Sequence, residues 1–497
     1  MATLYYTSDT HSYLYPDDHQ GNSNIPMGYG LLSASFKDAD LIMDGGDVLQ
    51  GSPLIRYEVV KGKRPFTAAR AFNIGGLGLY VPGNHDFNYG PELLKEFMDE
   101  LDADIVCANL VDHRYGMRNQ RYVVKEFKDG VKVLFSGVVS DYVNVWEKKE
   151  NLEGIEVTDC VEEARKVLEE SKNMDVDFRI LIYHGGFDDT RMGDLKENRG
   201  DELCELGYDM VLTAHQHVII QPKVLGKSIT LQTGTKCQRA AKIVLEKGRK
   251  PEVELISASL DEEMKPEMKA LLYGPVKSEL DRYLDTVIGH IDGILEDRSK
   301  LHSALNGSSL ADFINDIQRN AVDAELSACS LFNVPVSLEG DVTMGDLLSA
   351  YPFANTLVKF RIKAGDLRKA MERAAEYFVI EDDGNIRISD SFVGTKLQHY
   401  NYDYWRGVDY TFDITRPVGD RVVRLEYHGD NLLENTEREF TMVVNSYRAT
   451  GTGGYDAYRN AVVLDKPQLD IQDAIIDEFE EKKIIKPPIK TDFKVVH

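Results

Sequence analysis

Val81-Pro82-Gly83-Asn84-His85-Asp86-Phe87-Asn88-Tyr89-Gly90 decides how the chain is read. An amide, an imidazole, turn-forming glycines and aromatics sit side by side in it. Adjacent Asn84 and His85 cannot both face the core of one regular element, so they belong on a loop, where side chains turn toward a ligand. Gly83 and Gly90 give that loop its backbone freedom. Upstream, Phe72 to Val81 is apolar and glycine-rich and reads as a strand entering the loop. Downstream, Pro91 suits the first turn of a helix starting near Gly90-Pro91-Glu92, where no backbone donor is needed.

The same pattern recurs along the first half of the chain. The β-prone run Thr3–Thr7 ends in Ser8-Asp9-Thr10-His11, and Ala39–Met43 runs into Asp44-Gly45-Gly46-Asp47. Phe178–Tyr183 delivers His184-Gly185, and Met210–Ala214 delivers His215-Gln216-His217. Asp104–Leu110 and Lys132–Val139 read as further strands, and Val161–Lys172 as an amphipathic helix. Taken singly, each tip is a turn-forming aspartate or a surface histidine. Taken together they are strand ends that all carry Asp, Asn or His, and such ends converge on a ligand along one edge of an α/β sheet. Oxygen ligands mixed with imidazoles suit Mn, Zn, Fe or Co better than Ca or Mg alone. The donors exceed what one ion takes. Two ions are therefore expected, with Asp47 suited to bridge them.

Composition narrows the partners. The 497 residues exceed one core, so two domains are the default. A net charge of −25 argues against a nucleic-acid polymer, whose affinity comes from Lys and Arg on phosphates. It leaves room for a small phosphorylated ligand, because bound divalent cations reverse the local field. Cys107, Cys160, Cys204, Cys237 and Cys329 are scattered and odd in number, which reads as buried thiols rather than a disulfide scaffold. No apolar run has membrane-spanning length. No basic stretch followed by an apolar core opens the chain. A cytoplasmic protein without a membrane partner is expected, although a trimmed export signal would leave the same N-terminus. The oligomeric state is not legible.

The order Asp9-x-His11, Gly46-Asp47, Gly83-Asn84-His85-Asp86, His184-Gly185 and His215-x-His217 resembles the calcineurin-like metallophosphoesterase superfamily over about residues 1–240. That resemblance implies an N-terminal β-sandwich flanked by helices. It implies one metal on Asp9, His11, Asp47 and His217, a second on Asp47, Asn84, His184 and His215, and His85 as the catalytic imidazole.

Farther along, Asn306–Ile317 is a serine-capped helix, Thr343 caps another, and Ala364–Phe378 is a third. With Gly407–Asp413, Pro417–Val422 and Val444–Tyr455 they resemble the α/β C-terminal domain of bacterial 5′-nucleotidases. The expected layout is a dimetal domain over 1–260, a polar helical linker over 261–299 and a nucleotide-binding domain over 300–497. By the same resemblance, Tyr402 and Tyr455 sandwich the nucleobase.

Two departures bear on specificity. Where the 5′-nucleotidase branch has an aspartate orienting the catalytic histidine, this chain has Asn88, similar to the 2′,3′-cyclic-nucleotide 2′-phosphodiesterase/3′-nucleotidase branch. The segment Leu331–Leu338 lacks that branch's Gly-Gly and substrate arginine, leaving Asn355 or Arg448 as polar contacts. The expected activity is two-metal hydrolysis of 2′,3′-cyclic or 3′-nucleotides, with Asn88 beside His85. The alternatives are a 5′-nucleotidase or nucleotide-sugar hydrolase and a non-catalytic nucleotide binder.

Overall fold

The computed structural model describes all residues except 18–23, 188–190, 193–194, 353–354, 395–396, 460 and 466–468. The chain divides into two compact units, Met1–Arg282 and Tyr283–His497.

The first unit is built on strands β1 (Ala2–Thr7), β2 (Leu41–Asp44), β3 (Leu77–Tyr80), β4 (Asp104–Ile105), β5 (Tyr122–Glu126), β6 (Lys132–Val139), β7 (Phe178–His184), β8 (Met210–Thr213), β9 (Ile219–Leu225), β10 (Ser228–Thr233), β11 (Arg239–Leu245) and β12 (Glu252–Ser257). One sheet runs β12-β11-β1-β2-β3-β4 and the other β9-β10-β8-β7-β6-β5. Leu4, Tyr6, Met43 and Leu79 from the first meet Phe135, Ile180, Ile182 and Leu212 from the second in one core. Alternate residues of β6, β7 and β8 face the other way. Leu134, Leu181 and Val211 pack there against Val161, Ala164 and Val167 of the helix Cys160–Ser171. The result is a sandwich with a helical outer layer, as the motifs implied.

Strands β1, β2 and β3 are mutually parallel, as are β6, β7 and β8. Parallel pairing brings the C-terminal ends of each set to one edge. Asp9 and His11 follow β1, Asp47 follows β2, Asn84 and His85 follow β3, and His215 and His217 follow β8. His184 is the last residue of β7.

Three expectations are corrected. Phe72–Gly75 is the end of a helix, Thr67–Gly75, stopped by left-handed Gly76. Only Leu77–Tyr80 is strand; Ala68, Ala69, Ala71 and Phe72 line a buried helical face there. Asp104–Leu110 is not one strand, since pairing ends after Ile105 and a new strand begins at Leu110. The connection 261–299 is only partly helical. Helices cover Pro266–Leu272 and Pro275–Leu284, but Val287–Leu295 is a strand of the second unit. Its partners come from far along the chain, which no local pattern reveals.

The second unit contains β13 (Val287–Leu295), β14 (Leu326–Ser330), β15 (Leu338–Thr343), β16 (Leu357–Lys363), β17 (Asp403–Arg406), β18 (Asp409–Asp413), β19 (Val422–Tyr427), β20 (Asp430–Asn431), β21 (Glu439–Asn445), β22 (Val462–Asp465), β23 (Ile484–Ile485) and β24 (Phe493–Val496). They form sheets β17-β14-β21-β16-β22, β15-β13-β23 and β20-β19-β18-β24. Helices Ser309–Val322, Ala364–Ala375 and Ile471–Lys482 pack against them through a continuous apolar core. Ser308 caps the first through its hydroxyl, and Thr343 forms a capping box with Asp346, both as the sequence indicates. All five cysteines are free and buried. Among the described residues no helix is long and apolar enough to cross a membrane.

Candidate metal centre

Close packing of the loops forces their composition. Gly46 has φ +91°, and a Cβ there would lie 2.1 Å from the Gly83 nitrogen. A Cβ on Gly83 would lie 2.3 Å from Asp47 Oδ1 and 2.5 Å from His184 Cε1. Only glycine lets these two turns touch. Asp9, His11, Asp47, His215 and His217 all adopt positive φ, between 48° and 73°. Non-glycine residues visit that region at a cost and persist there when surrounding structure holds them.

Asp86 supplies much of that hold. Its Oδ2 accepts hydrogen bonds from the backbone N–H of Asp47 (3.0 Å), the N–H of Gly83 (2.7 Å) and the Tyr80 hydroxyl (2.6 Å). Its Oδ1 accepts from the N–H of Val48 (2.8 Å) and Leu49 (2.9 Å). One buried carboxylate thus ties the turn after β2 to the turn after β3. The motif contains Asp86, but nothing in its spacing announces this role.

The donors form two groups that share Asp47, namely Asp9, His11, Asp47 and His217, and Asp47, His184 and His215. Within each group the ligand atoms lie within 4.8 Å of one another. Asn84 joins the second group, with Oδ1 2.8 Å from His215 Nδ1 and 3.2 Å from His184 Nε2. The structure therefore brings Asp9, His11, Asp47, Asn84, His184, His215 and His217 together.

Outer contacts set the tautomers. His11 Nδ1–H donates to the Gln50 carbonyl (2.7 Å) and His184 Nδ1–H to the Gly45 carbonyl (2.5 Å). Both leave Nε2 facing inward. His215 is reversed: Nδ1 faces Asn84, and Nε2 lies 3.2 Å from Glu197 Oε1. A carboxylate behind a ligating imidazole fixes its orientation and raises its basicity. Glu197 was missed in the sequence because it lies in no motif and 18 positions from its partner.

Fit to a cation shows in what the donors lack. Asp47 Oδ2 is buried and has no hydrogen bond of good geometry among the described residues. His184 Nε2 stands 3.2 Å from it and His11 Nε2 4.0 Å. His11 Nε2 and His217 Nε2 face each other at 2.9 Å, so both imidazoles present a ring nitrogen to one point. Burial pushes His11 down to about 4, so it is neutral at pH 7. Burial also lowers His184, but the Asp47 carboxylate beside it outweighs that and lifts the imidazole to about 10. Burial raises Asp9 to about 6. The protein binds protons where it is short of positive charge, which is the condition a divalent ion relieves.

His85 sits half-buried beside this centre, with its backbone N–H on Asp47 Oδ1 (2.8 Å) and its ring 5.5 Å from that of His11. Its Nδ1 is 2.8 Å from Asn88 Oδ1. The Trp146 ring lies 5.0 Å from the His215 ring and walls the centre on that side.

The substrate residues expected in the second unit are largely corrected. Tyr402 is buried and donates its hydroxyl to the Ala304 carbonyl (3.1 Å). Tyr455 is fully buried, donates to the Asn401 carbonyl (2.9 Å) and stacks on Tyr458. Neither offers a face to a ligand. Arg448 is also buried, paired with Asp403 (3.0 Å), donating to the Tyr400 carbonyl (2.7 Å) and lying over the Tyr455 ring. It holds the frame, with Nε, both Nη1 hydrogens and one Nη2 hydrogen on groups of its own domain. Asn355 is half-buried next to the Tyr351 hydroxyl. Their neighbours Tyr400 and Tyr447 keep exposed area, with ring centroids 6.3 Å apart.

Residues 2–219 match the calcineurin-like phosphoesterase family and residues 287–460 the 5′-nucleotidase C-terminal domain. A Staphylococcus aureus crystal structure, given as a candidate 5′-nucleotidase in complex with α-ketoglutarate, superposes with a TM-score of 0.84, is 26% identical and covers 100% of both chains. The 2′,3′-cyclic-nucleotide 2′-phosphodiesterase/3′-nucleotidase of Haemophilus influenzae is 23% identical over 90% of this chain and 79% of its own length. The trifunctional nucleotide phosphoesterase YfkN of Bacillus subtilis is 21% identical over 92% of this chain, which spans 36% of that protein. The chain belongs to the calcineurin-like phosphoesterases that carry a 5′-nucleotidase C-terminal domain. Divalent metal ions go with that fold, and the donor groups for them are intact.

Proposed function

We propose that the protein is a dimetal phosphoester hydrolase of nucleotides, acting on 2′,3′-cyclic nucleotides and 3′-nucleotides. The observation that carries the reading is the pair of donor groups joined through the buried, unsatisfied Asp47 Oδ2. Asp9, His11, Asp47 and His217 would hold one ion, and Asp47, Asn84, His184 and His215 the other. Mn, Zn, Fe or Co suits this donor set. Such a pair supplies Lewis acidity for the phosphoryl oxygens and makes water acidic enough to attack at neutral pH.

The remaining work falls to the chain. His85 faces the centre without belonging to either donor group and is free to donate a proton toward the leaving ribose oxygen or to stabilise charge on phosphorus. Asn88 holds His85 by Nδ1 and leaves Nε2 to the substrate. In the second unit, Tyr400 and Tyr447 replace Tyr402 and Tyr455 as the nucleobase-stacking pair. Rotation of one ring would open a slot, and stacking on two π-faces grips any base. Five free buried thiols favour a reducing compartment, so a cytoplasmic place is proposed.

Asn88 favours cyclic and 3′ esters, by the similarity of this position to that branch. The structural likeness to the Staphylococcus aureus protein favours a second reading, hydrolysis of 5′-nucleotides. Phosphate release from 5′-AMP, 3′-AMP, 2′,3′-cyclic AMP and a UDP-sugar by the Mn²⁺-loaded protein separates them, with a coupling phosphatase for the cyclic ester. Preference for the cyclic and 3′ esters is expected. Preference for 5′-AMP would replace the first reading by the second, and binding without turnover would make the protein a nucleotide binder.

A further inference from the structure

We propose that Glu147 is a positioning residue for His85, acting through the Asn88 amide. The inference rests on the reading of His85 as the group that faces substrate. His85 Nδ1 lies 2.8 Å from Asn88 Oδ1, and Asn88 Nδ2 donates to Glu147 Oε1. Asn151 Nδ2 donates to Glu147 Oε2 (2.8 Å) and to the Asn88 carbonyl (2.8 Å). The three side chains form a closed set around a half-buried carboxylate.

The logic is one of hydrogen-bond polarity. An amide has a donor end and an acceptor end, and its orientation is free until a neighbour chooses. A carboxylate only accepts. Glu147 therefore holds Asn88 Nδ2 toward itself and turns Oδ1 toward His85. An oxygen facing Nδ1 requires Nδ1 to carry the hydrogen. Glu147 thus sets the tautomer of an imidazole that it does not touch. Where an aspartate would face the histidine directly, this chain places a neutral relay and puts the negative charge one residue farther out. Glu147 follows the short helix Val143–Trp146, whose Trp146 packs on His215, so one segment supports both imidazoles.

The test is a cycle of Glu147→Gln and Asn88→Asp. Glu147→Gln can donate to Asn88 Oδ1 and so lets the amide turn over. It should lower kcat on the order of 10- to 100-fold with KM little changed, the scale seen for outer partners of metal-ligating histidines. Asn88→Asp alone sets two carboxylates against each other and should also lower kcat. Combined, a glutamine at 147 donates to an aspartate at 88, which accepts from His85 Nδ1–H, and most of the rate should return. A purely structural Glu147 gives no such reversal. The proposal is overturned if Glu147→Gln acts in the same direction in both backgrounds, or if it leaves kcat unchanged.

A second readout needs no turnover. Nitrogen NMR of the zinc-loaded protein should show a hydrogen on His85 Nδ1; protonation at Nε2 alone overturns the proposal. Wild-type protein that hydrolyses no phosphoester yet shows Nδ1–H would count against the functional reading only.

Discussion

The carboxylate of Asp86 accepts the backbone N–H of Asp47 at 3.0 Å, while the carboxylate of Asp47 accepts the backbone N–H of His85 at 2.8 Å. The residue that follows His85 thus positions the shared donor, and the shared donor positions His85. The two turns cannot move independently.

Asp86→Asn follows directly. An amide of the same shape presents two donors where the structure offers only donors, so buried N–H groups lose partners. Loss of about 2–4 kcal/mol of stability is expected in urea unfolding, with weakened metal binding. An unchanged midpoint would remove Asp86 from this role.

Metal binding should displace protons. In the metal-free protein the Asp47 carboxylate lifts His184 to about 10, so that imidazole holds a proton at neutral pH, while burial lifts Asp9 only to about 6, so that carboxylate takes up a proton as pH falls toward 6. Affinity for Zn²⁺ or Mn²⁺ should rise as pH rises, and calorimetry in buffers of different ionisation enthalpy should detect proton release. Chelation should abolish turnover and re-addition restore it. Binding with no proton release would contradict the charge argument.

His85→Asn separates chemistry from binding. His85 lies in neither donor group. The variant should keep both ions by elemental analysis and lose on the order of 10²–10⁴ in kcat. Full activity would show that another group moves the proton.

Tyr400→Ala and Tyr447→Ala should each raise KM for nucleotides, by about 1–3 kcal/mol of lost stacking per base, and leave a small aryl phosphate unaffected. Tyr402→Phe and Tyr455→Phe remove only buried hydroxyls and should lower the melting temperature without changing KM. The opposite pattern would restore the pair expected from sequence.

Burial pushes Asp44 up to about 8, above the ordinary carboxylate value near 4. Its folded form holds a proton that the unfolded chain has released, so the contribution of Asp44 to stability is full below about pH 4 and is lost as pH rises through about 8. In metal-free protein, Asp44→Asn should stabilise on the order of 1–3 kcal/mol at pH 8 and have little effect at pH 4, read from melting temperatures. Equal effects at both values would mean that Asp44 is ionised throughout.

The sequence by itself determined the sandwich and the side chains that gather at its edge, because an apolar strand that ends in Asp, Asn or His is a local pattern. Asp9, His11, Asp47, Asn84, His184, His215 and His217 each follow or end such a strand, and parallel pairing brings them together. Capped helices at Ser308 and Thr343 were legible for the same local reason. Tertiary structure alone decided which polar group stands behind each of these. Glu197 reaches His215 across 18 positions and Glu147 reaches Asn88 across 59. Burial decided the tyrosines. Tyr402 and Tyr455 fit a motif, but their rings close the core, and the exposed area falls on Tyr400 and Tyr447. The strand at Val287–Leu295 was likewise settled by partners distant in sequence. Ligand type is written in neighbouring residues. Orientation, protonation and exposure depend on groups that only folding brings within hydrogen-bond reach.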